Sequence, residues 1–276
     1  MSGEFWSLRL LSDQRIDDPA VGAQIIRTML MVLPEFRPIR YGQVDPDAGR
    51  WTDDILERFE SVWSPSSLGF AFEGAGGTRG HMASIAGNHI HSTLQLDAPG
   101  AGPDDDRALR FLTTLAGRVG CDFGLIHRFD HAEAHRATGN GTLTGAGRGE
   151  PLFMVTSHKL KRGIPDIYWA TLFGRRYVDM FGRERLRTAP AAKAELLPDG
   201  SALLQASLRS GDVVAPGGSF AAVRERIIEH LGRDAFYDPQ RPDARTVTPA
   251  FDDTIARSLW SMDPVAVELR RQAGIE

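Results

Sequence analysis

The chain has 276 residues, 42% of them hydrophobic and 25% charged, which suffices for one large or two small globular domains. Its net charge of −4 argues against a general nucleic-acid binder, which carries a basic surplus. No apolar run reaches the roughly 18 residues of a membrane span, and the first residues lack the basic and apolar regions of a secretory signal. The single cysteine, Cys121, excludes an internal disulfide, so we expect a reducing, cytoplasmic setting.

Short apolar or alternating runs predict the strands. They lie at 4–11, 38–44, 68–73, 82–86, 89–96, 121–127, 152–156, 167–173, 192–197 and 202–208. The glycine-rich residues 74–80 predict a hairpin connection, and Pro198-Asp199-Gly200 predicts a tight turn. Because hairpins are frequent, the sequence predicts an α+β fold in which helices pack on one face of a mainly antiparallel sheet.

Apolar residues at helical spacing, with capping residues at the ends, predict the helices. They lie at 19–33, 53–63, 105–119, 130–137, 175–181 and 220–231, with a last short helix after Pro264. Asp104 is the expected N-cap of the third helix. The core face of that helix would carry Ala108, Phe111, Leu112, Leu115 and Val119.

The chain is expected to form a single α+β domain over 1–276. Pro, Gly and Asp residues at 97–106 mark the best candidate for an internal boundary, and two similar βαβ-rich halves remain an open alternative. Residues 138–149 predict a mobile loop, and 233–276 predict a largely irregular segment apart from the last helix.

Residues 163–190 hold five aromatic side chains within 14 residues, from Tyr168 to Phe181, and are the expected centre of the core. The run 167–173, which includes Tyr168 and Trp169, predicts a strand covered on both faces. Gly174 then breaks the run, and Gly182 is expected to end the helix that follows.

The histidines offer one enzymatic hypothesis, a site for zinc, iron or manganese. His89 and His91 would share one face of a strand, and His131 and His135 one face of a short helix that also holds Glu133. His127 precedes this helix and belongs to the same group. Ordinary polar surface residues are the favoured interpretation, so we expect no cofactor and no catalytic residue.

Other chemical motifs are weak or missing from the sequence. The glycine runs match no phosphate-binding fingerprint, and no serine lies in a Gly-x-Ser-x-Gly elbow. Cys121 is interpreted as a structural thiol rather than a nucleophile. Residues 159–187 hold eight Lys or Arg against three acidic residues, a surplus that suits either an acidic partner or a solvated rim.

Several short runs are characteristic when taken together. They are Pro165 to Gly174 with Trp169 inside, Tyr177-Val178, Phe181-Gly182, Ala189-Pro190, and Asp122 to His127 with the later Ala132-Glu133. In these runs the chain resembles the bacterial polymorphic-toxin immunity family catalogued as immunity protein fifty-two. It is also similar to type VI secretion immunity proteins, which carry a comparable Trp-containing segment before a glycine.

The resemblance implies a cytoplasmic, non-enzymatic α+β protein that binds and neutralises one cognate toxin, with neither membrane nor nucleic acid as partner. An accessory role in a bacterial defence or secretion locus is the alternative. Inhibitor interfaces are typically built on aromatic or Arg anchors with complementary charges at the rim. The candidate partner contacts are Tyr168, Trp169, Arg175, Arg176, Asp104, Asp105 and Asp106, with the basic residues 158–162 as a further rim segment.

Overall fold

A computed structural model of the chain describes residues 3–16, 18–43, 46, 49–57, 59, 63, 69–83, 90–145 and 151–251. The strands are β1 (Phe5–Ser12), β2 (Pro38–Gly42), β3 (Gly49–Arg50), β4 (Gly69–Gly74), β5 (Arg79–Ala83), β6 (Ser92–Pro99), β7 (Phe123–Phe129), β8 (Leu143–Gly145), β9 (Pro151–Phe153), β10 (Ala170–Phe173), β11 (Lys193–Leu196) and β12 (Ala202–Gln205). The described α-helices are α1 (Pro19–Val32), α2 (Asp105–Val119), α3 (His131–Gly139), α4 (Ser157–Leu160), α5 (Arg175–Phe181), α6 (Arg183–Arg187) and α7 (Phe220–Leu231).

Ten of these strands form one sheet in the order β11-β12-β10-β7-β1-β6-β5-β4-β2-β3. Every neighbouring pair in the sheet is antiparallel. β8 and β9 form a separate small hairpin. The α+β class with an antiparallel sheet is therefore confirmed. Among the described helices, none has both the length and the apolar character required to cross a bilayer.

Helices cover both faces of the sheet, whereas the sequence predicted one covered face. On β7, Gly124 faces α2: a Cβ at this position would come within 3.0 Å of Leu112 in that helix. Three residues further along the same strand, His127 contacts Glu133 of α3. Residues three apart on a strand point to opposite faces, so α2 and α3 lie on opposite sides of the sheet. The apolar pattern of β7 conceals this, because both of its faces are buried.

The predicted boundary at 97–106 overlaps the end of β6 and the start of α2. β6 continues to Pro99 and pairs with β1 along its whole length, and α2 begins soon afterwards at Asp105. The segments β1-α1-β2 and β6-α2-β7 each place a helix between strands that run in the same direction without being neighbours. The βαβ pattern in the sequence therefore corresponds to crossovers within one sheet.

The third predicted helix forms as the sequence indicates. Asp104 caps α2 by accepting a hydrogen bond from the backbone N–H of Arg107, and Gly120 follows the last residue with a φ of 61°. All five predicted core-face residues, Ala108 to Val119, are buried. Burial of this stripe against β1, β7 and α1 stabilises the helix more than its intrinsic propensity does.

The segment expected at the centre of the core lies there. Tyr168 is 3% exposed and Trp169 0% exposed, and β10 is buried on both faces. Gly174 directly follows β10. Glycine is required there because the backbone of Cys121 and Asp122 comes too close for any side chain. A Cβ at Gly174 would lie 1.8 Å from the carbonyl oxygen of Cys121.

Other predicted elements are shifted or different. β5 begins at Arg79, inside the segment predicted as a connection, and β8 occupies part of the predicted loop 138–149. Of the predicted helix 53–63, Asp53–Leu56 forms a 3-10 turn. Beyond a short 3-10 turn at Arg233–Ala235, the described residues up to 251 are irregular, as predicted. His89, the rest of 84–89 and the helix after Pro264 lie outside the described residues.

A buried charged cluster connects β7, α3 and α7 on the face opposite α2. Arg224 of α7 donates two hydrogen bonds to the carboxylate of Glu133, and its guanidinium lies 4.7 Å from the centre of the Phe220 ring. Glu133 also accepts a hydrogen bond from His127. Because both partners of each ion pair are held by further hydrogen bonds, the cluster tolerates burial.

Candidate functional site

A charged cleft opens where five segments meet at one end of the central strands. It is formed by the end of β1, the end of α2, the residues that precede β7, the start of α5, and the turn between β11 and β12. The lining residues are 13–14, 116–118, 120–122, 175–176, 179, 199 and 201. The cavity has a volume of about 540 Å³ and carries both Arg and Asp side chains. This size falls within the range of ordinary binding clefts.

Arg176 is the central cation of the cleft. Its Nη1 donates to Oδ2 of Asp13 over 2.6 Å and to both carboxylate oxygens of Asp122 over 3.1 and 3.2 Å. Partial burial lowers the pKa of Arg176, but the bonds to Asp13 and Asp122 outweigh it and hold the pKa above its ordinary value. One guanidinium thus ties the start of α5 to the end of β1 and to the residue before β7.

Arg175, its neighbour, is in a different state. The side chain is exposed, and within the described residues it has no hydrogen-bond or ion-pair partner. Its guanidinium lies over Gly200 in the β11–β12 turn, where a Cβ would come within 3.3 Å of Nε. Gly200 has a φ of 89°, so glycine suits both the turn and the close approach. Arg175 is therefore a cation of the cleft that is open to a ligand.

A buried relay holds Asp122 from behind. Nε2 of His91 lies 3.1 Å from Oδ2 of Asp122, and Nδ1 lies 3.0 Å from Oγ of Ser157. Ser157 Oγ also accepts the backbone N–H groups of Ile90 and His91 over 3.1 Å each. The Ser157 hydroxyl therefore donates its proton to Nδ1 of His91, and the Nε2–H of His91 donates to Asp122.

These three residue types are those of a hydrolytic triad, but their arrangement differs. In the usual arrangement the carboxylate contacts Nδ1 and the hydroxyl contacts Nε2, and here the two are exchanged. Ser157 is also 0% exposed, and two backbone donors already occupy its oxygen. The relay therefore positions the Asp122 carboxylate at the floor of the cleft. The sequence gives no signal for the role of Ser157, because that role depends on its contact with His91, 66 residues away in the chain.

Cys121 also lines the cleft and is half-buried. Burial raises the pKa of its thiol well above the ordinary value, and the negative charge of Asp122 raises that pKa further. A thiol in this environment stays protonated near neutral pH, and the protonated form is a poor nucleophile. This agrees with its interpretation as a structural residue.

The predicted partner contacts do not form one surface. Tyr168 and Trp169 are buried in the core, so a partner of the folded protein does not reach them. The sequence predicts both residues in the core, and they are also candidate contacts because aromatic residues serve both as core residues and as interface anchors. Arg175 and Arg176 line the cleft beside the C-terminal end of α2.

Asp104, Asp105 and Asp106 lie at the opposite end of α2, about 20 Å away along a helix of 15 residues. Asp104 caps the helix, and Asp105 accepts a hydrogen bond from the backbone N–H of Ser210 over 2.9 Å. Asp106 is exposed. Two of the three carboxylates therefore already act within the fold.

The candidate metal ligands are likewise separated. His91 is buried and both of its ring nitrogens are occupied, whereas His131 and His135 are exposed on α3. His89 lies outside the described residues. Among the residues that the structure describes, no three His, Cys, Asp or Glu side chains cluster in a way that could hold a metal ion.

The fold and the cleft define an α+β protein built on a ten-stranded antiparallel sheet. Comparisons with protein-family models and with curated protein sequences returned no match. Among solved structures, the fold is similar to that of the Pseudomonas aeruginosa T6SS protein PA0821, with a TM-score of 0.53. The similarity covers 91% of this chain and 77% of that chain at 12% sequence identity. At this identity the likeness shows a shared fold.

Proposed function

We propose that this protein is a cytoplasmic, non-enzymatic immunity protein that binds and neutralises one toxin or effector of a bacterial secretion system. The observation that carries this proposal is the fold likeness, over 91% of the chain, to a protein named for the type VI secretion system. The resemblance of residues 165–190 to the immunity family supports it from the sequence. The family assignment itself is part of the proposal.

The charged cleft is the surface we propose for toxin binding. Arg176 and Asp122 form a floor that is held in place before any partner arrives, which lowers the entropic cost of association. Arg175 stands above that floor, exposed and without a partner among the described residues. Arginine is enriched among the residues that dominate binding energy, and a carboxylate of the partner suits its guanidinium.

The test is protection in living cells together with binding in solution. The product of a gene adjacent to this one is the toxin candidate, expressed in a heterologous bacterium with and without this protein. We expect co-expression to restore growth and the purified pair to associate. Arg175→Glu should raise the dissociation constant roughly thirtyfold, which is a loss of about 2 kcal/mol of binding free energy. The reason is that the new carboxylate would face a carboxylate of the partner.

Arg226→Glu is the matched control, since Arg226 is an exposed arginine on α7 that does not line the cleft. It should bind and protect like the unaltered protein. An Arg175→Glu variant that folds and still binds with unchanged affinity would move the interface away from the cleft. A pair that neither associates nor protects would refute the immunity function.

An accessory role in a secretion locus is the second candidate, because the structural neighbour is named only as a T6SS protein. Such a protein would bind a component of the secretion apparatus rather than a toxin. The same co-expression separates the two roles, since an accessory protein can associate with its partner without restoring growth.

A further inference from the structure

A small cavity lies between the end of α3, the turn that follows α4, and Tyr237. It shares no lining residue with the charged cleft, and its volume is about 110 Å³. Pockets for drug-sized ligands span about 300–1,000 Å³, so this cavity suits a single small chemical group. The proposed toxin binding does not involve it.

Two cations line the cavity with no described carboxylate beside them. Lys159 and Arg162 lie three residues apart, and the other described lining residues are glycines, Asn140, Pro165 and Tyr237. The ammonium of Lys159 lies against Gly141, where a Cβ would come within 3.0 Å of Nζ. Within the described part of the chain, Lys159 Nζ has no hydrogen-bond acceptor or ion-pair partner.

Arg162 is held in place for contact with a ligand. Its guanidinium lies 5.0 Å from the centre of the Tyr237 ring, and Nη2 donates to the carbonyl oxygen of Pro242 over 3.1 Å. Since a guanidinium has five N–H donors, most of them remain for another acceptor. These two contacts therefore lower the entropic cost of ordering Arg162 when an anion binds.

The two cations also destabilise one another. Burial lowers the pKa of Lys159, and the positive charge of Arg162 lowers it further. An anion between them would remove both penalties, because it supplies the missing counter-charge and replaces lost water contacts. A doubly charged anion balances both cations, whereas a single carboxylate balances one.

We propose that this cavity binds a phosphate dianion, with Lys159 and Arg162 as its ligands. The dianion is either inorganic phosphate or the phosphoryl end of a larger molecule whose remainder stays in solvent. Lysine acts as a point charge and arginine as a fork of donors, a pair that is common around phosphate groups.

Binding is measured by isothermal titration calorimetry of the full chain with potassium phosphate, at an ionic strength held constant with potassium chloride. The midpoint temperature of thermal unfolding should also rise with phosphate concentration, because a ligand that binds the native state stabilises that state. Lys159→Gln and Arg162→Gln should each weaken binding by about tenfold or more, through the loss of a charge-assisted hydrogen bond. Lys161→Gln removes an exposed charge from the same turn and should leave the affinity unchanged.

Three outcomes would overturn the proposal. Chloride alone could reproduce the stabilisation, acetate could bind as tightly as phosphate, or a folded Lys159→Gln variant could bind like the unaltered protein. A parallel titration with AMP identifies the source of the dianion. Binding of AMP as tight as that of phosphate supports a phosphoryl end, and binding of inorganic phosphate alone supports the free ion.

Discussion

The backbone N–H of Trp169 donates a hydrogen bond to Nδ1 of His127 over 3.0 Å, although 42 residues separate the two. Since Nδ1 accepts, Nε2 must carry the ring proton, and it donates to Oε2 of Glu133 over 2.9 Å. One tautomer of one imidazole thus links β7, the segment that enters β10, and α3. Burial lowers the pKa of His127, which favours this neutral form.

Replacement of His127 by alanine should destabilise the protein by about 2–4 kcal/mol. The variant leaves the Trp169 N–H without its acceptor, removes a donor from Glu133 and opens a void in the core. Urea unfolding at neutral pH measures the change. His135→Ala on α3 is the control, because that side chain is exposed, and it should stay within about 0.5 kcal/mol of the unaltered protein. Equal stabilities of the two variants would contradict the linking role of His127.

Acid should weaken the same cluster in a defined pH window. Burial raises the pKa of Glu133, but the bonds from His127 and Arg224 outweigh it and lower that pKa from 4.5 to about 2. Its contribution to stability is thus complete above pH 4.5 and is lost as the pH falls towards 2, since the unfolded state then binds the extra proton. The loss amounts to roughly 3 kcal/mol.

Urea unfolding of the unaltered protein and of Glu133→Gln, across this window, tests the assignment. The variant should be less stable at neutral pH, and its stability should fall less steeply between pH 4.5 and 2. The lowered pKa of His127 acts in the same direction at higher pH, because an unfolded histidine gains a proton below its ordinary pKa of 6.5. Parallel pH profiles of the two proteins would show that other carboxylates govern acid unfolding.

Arg175 and Arg176 are adjacent arginines with separable effects. Arg176→Gln should destabilise the fold by about 1–3 kcal/mol, because Asp13 and the buried Asp122 lose a charged donor. Arg175→Gln should change stability by less than about 0.5 kcal/mol. Thermal unfolding of both variants under identical conditions makes the comparison. A larger loss for Arg175→Gln would mean that Arg175 has a structural partner.

Gly174→Ala should prevent normal packing where β10 meets α5. The new methyl would overlap the carbonyl oxygen of Cys121, and overpacking against backbone costs about 3 kcal/mol or more. Gly117→Ala is the matched control. Its nearest neighbour would be 3.9 Å away, and alanine in place of an interior helical glycine should add up to about 1 kcal/mol. Circular dichroism melts of the two variants should therefore shift in opposite directions.

The sequence predicts elements well where a regular period repeats. The core face of α2 recurs at helical spacing over 15 residues, and its caps are of the expected types, so both ends were close to correct. The strand-to-helix junction at Gly174 was likewise predicted, because a continuous apolar run changes there to helical spacing.

β5 shows where sequence-based prediction fails. Gly80 suggests a connection, yet it pairs with Phe72 of β4 in the sheet. A Cβ at Gly80 would come within 2.0 Å of the Phe72 ring, so glycine is there because an aromatic ring lies across the strand. A glycine required for packing and a glycine required for a turn cannot be distinguished in the sequence unless the partner strand is known.

The candidate site could be predicted only in part, for a similar reason. Arg176 was singled out from its local charge, but its partners lie 163 and 54 residues away. Ser157 follows a helix N-cap and has no local motif, although it holds His91 from 66 residues away. Contacts at such separations depend on the complete sheet.

The position of β1 has a consequence for the order in which the protein folds. β1 precedes the other described strands in the chain and is one of the central strands of the sheet, with neighbours that end at Pro99 and begin at Phe123. At about 5–20 residues per second, β1 therefore waits several seconds for its first neighbour and longer for its second. During that interval its apolar residues have no sheet to join, and their pairing with β6 and β7 waits until those strands are made.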